Sequence, residues 1–158
     1  MLFRFFTLIA VVFLSLMPIH RVMAAMDYAK QVLIESDFSN KDLRGVTFNL
    51  TNLRRADLSG SNLEGASLFG AKLEESDLSN TNLRFATLDS ANLDGTNLTN
   101  SVLEDAFAFN TRFKNVIISG ADFTNVPMRD DVLEILCEQA DGINPITGRI
   151  TSETLNCS

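Results

Sequence analysis

Glu74 and Glu75 stand side by side, and two neighbouring carboxylates are the first requirement of general acid–base chemistry. Asp37, Asp57 and Asp77 recur at intervals of 20 residues, a spacing that on a suitable scaffold gathers oxygen ligands for a hard cation. Cys137 and Cys157 are the only thiols, and His20 is the only imidazole. The serines are many but follow a regular pattern, and no base accompanies them. No glycine-rich phosphate loop and no metal-ligand cluster is present. An enzyme needs a nucleophile with a base, a metal, or a cofactor site. The sequence combines none of these, so no catalytic, cofactor-binding or metal residue is expected.

Whatever these residues do, a repeat must position them. From Ser36 to Asn125 the chain repeats every five residues, in 18 consecutive blocks such as SDFSN, ADLSG and TNLRF. The third residue is Leu, Phe or Ile in every block but one, and the first is Ala, Ser, Thr or Val in every block but one. The fifth is rich in Gly and Asn. Five is neither the helical period nor the strand period. Positions one and three share a face of an extended backbone, and Gly or Asn then suits a corner. No block can bury its apolar residue alone, but stacked blocks can, as in solenoids.

The A-[D/N]-L-x-x pattern, clearest at 56–60, 91–95 and 121–125, resembles that of the pentapeptide-repeat family. The resemblance implies an all-β solenoid, a right-handed, four-sided β-helix in which residues 20 apart are stacked. Eighteen blocks would make about four and a half coils, a tower about 22 Å tall. Lys41 occupies a small-residue position and predicts an imperfect first coil. Ala108 occupies a large-residue position between Phe107 and Phe109. Either the core is under-filled there, or a register slip turns one Phe inward.

The ends differ from the repeat. Residues 1–24 read as a signal peptide: Arg4 precedes a 13-residue apolar run from Phe5 to Met17, and Val22-Met23-Ala24 suits cleavage before Ala25. Such a run falls short of the ~20 residues of a membrane span, although an uncleaved anchor is the other reading. Cleavage removes two of the 13 basic residues and none of the 20 acidic ones, so the net charge of −7 becomes −9. That acidity argues against direct nucleic-acid binding and favours solubility or a basic partner. No stable membrane insertion is expected after cleavage.

Residues 25–35 read as a lead-in segment and 126–158 as a C-terminal cap. Asp130 or Asp131 is placed to cap a helix running to about Ala140, Asn144-Pro145 makes a turn, and a second short helix begins near Thr151 or Ser152. A solenoid end exposes its core and strand edges and needs such a cover. Both cysteines lie there. In an oxidising compartment they would form a disulfide worth about 3 kcal/mol; two buried free thiols are the alternative. The stretch LCEQADGINPITGRITSETLNC is similar to that of pentapeptide-repeat proteins of the thylakoid lumen in cyanobacteria and plants. This resemblance implies two small α-helices joined by a Cys137–Cys157 bond. The leader is bacterial in style, with no Ser/Arg-rich transit segment, which suits a cyanobacterial source.

A 20-residue coil sorts the surface into four faces. One column runs Arg44, Glu64, Arg84, Glu104, and another face sets Arg54 over Glu74, Arg55 over Glu75 and Lys114 by Asp94. Such ladders account for Glu74-Glu75 without catalysis, at ~0–1 kcal/mol per exposed pair. The column of Asp37, Asp57 and Asp77 is expected to hydrogen-bond nearby backbone. The last face lacks charge apart from Asp89 and presents Leu50, Phe69, Phe107 and Phe109. It is the candidate interaction face, unless the chain's own ends cover it. The expected function is a non-enzymatic structural or protein-interaction module in the thylakoid lumen or periplasm. It would be a monomer or weak oligomer, without cofactor, and with a protein partner that the sequence does not name. The alternative is an acidic DNA-mimic inhibitor of gyrase, a topoisomerase, as in some members of the family.

Overall fold

Each block pairs with the block 20 residues on through one residue, in parallel, from Asp27↔Thr47 up to Val102↔Asp122. The computed structural model describes residues 26–157, so the signal-peptide reading of residues 1–24 lies outside the described residues. Blocks of five bridged at 20 give four sides, and residues 26–125 form five coils. At ~4.8 Å per coil the tower is about 24 Å tall.

Among the described residues the repeat therefore runs from Met26, not from Ser36, and residues 26–35 are two further blocks rather than a lead-in. Tyr28 and Leu33 hold the third positions and pack against the core. The first positions disguised them. Met26, Gln31 and Lys41 are large and exposed, because no described residue lies beneath the lowest coil to confine them. The imperfection expected at Lys41 is this open end.

The backbone accounting is regular. The third and fifth N–H groups donate upward, as Leu58 to Asp77 O and Gly60 to Ser79 O, both at 2.8 Å. The second N–H donates downward, as Asp57 to Ser36 O at 3.0 Å, and the first closes the corner, as Ala56 to Leu53 O at 3.0 Å. Every fifth residue from Lys30 to Asn125 except Asn110 has φ between 53° and 72°. Only Gly, and to a lesser degree Asn, adopts that conformation cheaply, which explains the composition of the fifth position.

Inside, Leu53, Leu73 and Leu93 stack without exposure, as do their counterparts on the other sides. The small first positions include hydroxyls, and these are satisfied without water. Ser61, Ser76 and Ser101 donate to the carbonyl three residues back. Thr51, Thr81, Thr96 and Thr111 reach the carbonyl 23 residues back, in the coil below. Aromatics close the column. Tyr28, Phe38 and Phe48 cluster at the base with centroids 5.2–5.6 Å apart, and Phe113 meets Phe123 at the top. Ala108 is buried and both flanking Phe side chains are exposed, so the register does not slip.

Above the tower lie α1 (Asp130–Cys137) and α2 (Thr151–Thr154). Leu136 and Leu155 are buried in the column's end. The helix ends before Ala140, and no aspartate caps it. Arg129 is the N-cap residue, without a side-chain cap bond, and Asp131 pairs with Arg129 instead. Cys137 and Cys157 are bonded, with Cα atoms 5.6 Å apart. Between the helices, Ile143 and Ile150 pair antiparallel around buried Asn144. Asn144 Nδ2 donates to the carbonyls of Gly120 (2.8 Å) and Ser101 (3.0 Å), while its Oδ1 accepts from the N–H groups of Ile146 and Thr147. Gly142 must be glycine, because a Cβ there would fall 2.7 Å from Gly120 N.

Candidate functional site

On three of the four faces the second-position acids and amides are spent on the fold. Second-position Asp and Asn side chains accept the N–H two residues on, as Asp37 from Ser39, Asp57 from Ser59, Asp77 from Ser79 and Asn97 from Thr99. The Ser39 hydroxyl and N–H hold the Asp37 carboxyl below its ordinary range. These aspartates are turn-formers. Among the described residues no group of His, Cys, Asp or Glu is placed to hold a metal ion.

The ladders form in part. Arg84 pairs with Glu104 at 3.0 Å and Arg54 with Glu74 at 3.5 Å. Arg44 turns to Asp42 of its own block rather than to Glu64, and Arg55 reaches down to Glu35 rather than up to Glu75. Asp94 accepts from Asn115 Nδ2 at 3.0 Å and makes no ion pair with Lys114. A short partner in the same block, or in the added lowest coil, is nearer than the one a simple column implies. Glu74 is held through Oε1 by Arg54 and Asn92, while its Oε2 is buried without a partner among the described residues.

The fourth face lacks turn-forming acids above Asp27. Its second positions are Thr47, Ser67, Thr87 and Phe107. The register brings Leu50, Phe69, Phe107 and Phe109 to this side, 42–60% exposed. Neither the cap nor the lowest coil covers them. The lowest coil adds Asp27 and Lys30 beneath, so the charge-free stretch begins above it. Asp89, between Phe69 and Phe109, spends its Oδ1 on the Asn110 N–H at 3.0 Å. Leu50 sits at the corner where the chain leaves the face, with φ 57°. Its side chain lies across Gly70, where a Cβ would meet it at 2.7 Å. The reading from sequence missed Phe85, which is 53% exposed at the corner where the chain enters the same face, with φ 59°. The signal was an aromatic in a position that, apart from Leu50, holds Gly, Asn and other polar residues. Bulky apolar residues in left-handed corners cost about 1–2 kcal/mol each, so two at opposite edges of one face form a costly arrangement.

A stacked, four-sided tower of five-residue blocks with this surface defines a class. The chain belongs to the pentapeptide-repeat family, whose model (eight copies) matches residues 32–65 and 66–105. The family's towers are right-handed quadrilateral β-helices. A crystal structure of a pentapeptide repeat protein from the thylakoid lumen of Arabidopsis thaliana is similar over 85% of this chain and 86% of its own, at 44% identity and TM-score 0.67. The curated thylakoid lumenal 15 kDa protein 1, chloroplastic, of the same plant is 53% identical over 36 residues. That match spans 23% of this chain and 16% of the relative's length. HetL, a pentapeptide repeat protein involved in heterocyst differentiation regulation in Nostoc, is 27% identical, with 60% of this chain and 48% of its own covered and TM-score 0.49.

Proposed function

We propose that this protein is a non-enzymatic interaction module of an exported compartment, the thylakoid lumen or periplasm, and that it binds a protein partner through the Phe69 face. The observation that carries the reading is the gathering of Leu50, Phe69, Phe107 and Phe109, exposed on one side with Phe85 at its edge. Aromatic surface on a polar prism reduces solubility unless a partner covers it. The lumenal relatives support the compartment. No described helix is long and apolar enough to cross a membrane. The topoisomerase alternative draws less support, because the acidic residues are interspersed with Arg54, Arg55 and Arg84 rather than massed.

Phe69→Ser combined with Phe109→Ser tests the reading on protein purified from its native compartment. Co-purifying protein should be lost while the melting temperature holds. A large fall in melting temperature with an unchanged co-purification profile would show that the face packs within the chain.

A further inference from the structure

The top edge of the tower is satisfied unevenly. On one side Gly120 N–H donates to Asp141 O at 2.9 Å, and on the next Phe123 N–H donates to Thr154 Oγ1 at 3.1 Å. On a third the Asn110 N–H is taken by Asp89. On the fourth, block 111–115, neither the Phe113 nor the Asn115 N–H has a protein partner among the described residues, so this block alone makes no such bond; its Thr111 carbonyl accepts nothing, like the Ala106, Val116 and Ala121 carbonyls of the other three sides. In every coil below, the equivalent third-position N–H and first-position carbonyl of this face are bonded to the next coil, as Leu93 N to Arg112 O and Arg112 N to Ala91 O.

The sequence shows why. Pro127 stands at the second position of what would be the next block and has no N–H to donate downward. The chain leaves the ladder there. Residues 131–135, which a sixth coil would lay over block 111–115, are inside α1. A groove of about 350 Å³ separates the two, with Phe113, Val132 and Ile135 as its apolar lining. Arg112 and Lys114 line it as well, two positions apart and both exposed. Neither has an ion pair among the described residues, in a chain of net charge −7.

We infer that this groove docks an extended acidic segment of a partner protein, which adds to block 111–115 as a partial sixth coil. An open strand edge recruits a peptide through its main chain, and side-chain pockets select the sequence. The ladder fixes the register. Carbonyls of the segment accept from Phe113 and Asn115, and one of its N–H groups donates to Thr111. The side chains stacked on Arg112 and Lys114 are two apart and point outward. They are carboxylates for charge complementarity, and the residue between them is apolar and meets Val132 and Ile135. The recognised pattern is acid–apolar–acid.

The probe is a capped, fluorescein-labelled Thr-Glu-Val-Glu-Gly peptide, read by anisotropy with full-length protein and by the amide resonances of Phe113 and Asn115. Binding should shift both amides. Arg112→Gln with Lys114→Gln should weaken affinity at least about tenfold at an unchanged melting temperature. Methylating the nitrogen of the first glutamate, which removes its donor, should weaken binding comparably, and a lysine-for-glutamate peptide should not bind. Phe69→Ser should leave the affinity intact, so this site and the aromatic face stand or fall separately. The inference is overturned by undetectable binding, by equal binding of the methylated or lysine peptide, by an unaffected double variant, or by full displacement with free glutarate.

Discussion

At its base the tower ends in side chains that belong to the repeat; at its top it ends in residues 126–157, which do not. Tyr28, Phe38 and Phe48 close the lower end of the leucine column with ring volume alone. Among the described residues they leave the lower backbone edge of the lowest coil without partners. Val32, Asp37 and Asp42 meet no described coil below to receive the N–H bond that Asn52, Asp57 and Asn62 make. At the top, Phe113 and Phe123 give comparable filling, and the cap then adds what rings cannot. Asp141, Asn144 and Thr154 bond to the tower's edge. Arg149 reaches down to Glu104 at 2.8 Å and Asp122 at 3.1 Å. An apolar column can be closed by aromatics, but a peptide edge is satisfied only by other polar groups.

Five experiments break or sharpen that contrast. The largest effect belongs to the middle, which both ends share. Leu73→Asp buries an unpaired charge at a side chain with no exposure and should destabilise by at least about 4 kcal/mol, with loss of β-signal throughout. An unchanged melting curve would mean that the coils do not depend on one another. Next, Phe48→Ala should cost about 3–5 kcal/mol. Hydrogen exchange should accelerate first in the two lowest coils, and simultaneous loosening of the cap would contradict the independence of the ends. Third, replacing Cys137 and Cys157 by Ser opens a 20-residue loop worth about 3 kcal/mol, and the cap should exchange before any block of the repeat. Fourth, Asn144→Ala strands the Gly120 carbonyl and the Ile146 and Thr147 N–H groups, at about 2 kcal/mol, again with the cap loosening before the base.

The smallest effect is a response to acid. Arg84 and Arg149 hold Glu104 below its ordinary 4.5. Burial pushes Asp122 up, but the hydroxyls of Thr124 and Thr147, the Thr124 N–H and Arg149 outweigh it and leave it below 3.8. Carboxylates depressed on folding contribute stability that is complete above about pH 5 and is lost as pH falls through their folded values. Amide protection factors in residues 141–151, corrected for the intrinsic rate at each pH, should therefore fall in acid, and Arg149→Gln should flatten that dependence. The base has depressed carboxylates of its own in Asp37 and Asp42, so Arg149→Gln is the discriminating variant, and an unchanged acid response of residues 141–151 in it would overturn the assignment.

How far these features could be read in the sequence depends on how local each cause is. The leucine stack, the corners and the aromatic side are consequences of period, and period is visible in one dimension. The lowest coil was hidden, because Met26 and Gln31 violate the small-residue rule where the rule has no physical basis. At Ala108 the sequence allowed two packings, and burial of the methyl with both rings outside decides between them. The ion pairs were half legible, since columns give the neighbours but not which rotamer Arg44 or Arg55 adopts. The unpaired edge at block 111–115 required knowing where α1 lies, which Pro127 signals only in part.

The 20-residue bridging interval also sets rules for changes in chain length. Deleting or duplicating one whole circuit would return every surviving residue to its own side, and the tower would become shorter or taller without turning. A five-residue gain would instead rotate everything above it by a quarter turn, and Phe107 would no longer stand over Thr87. Even a whole-circuit deletion has local consequences: loss of residues 66–85 would set Leu50 beneath Ser90 instead of Gly70, and the shelf that its side chain rests on would carry a Cβ.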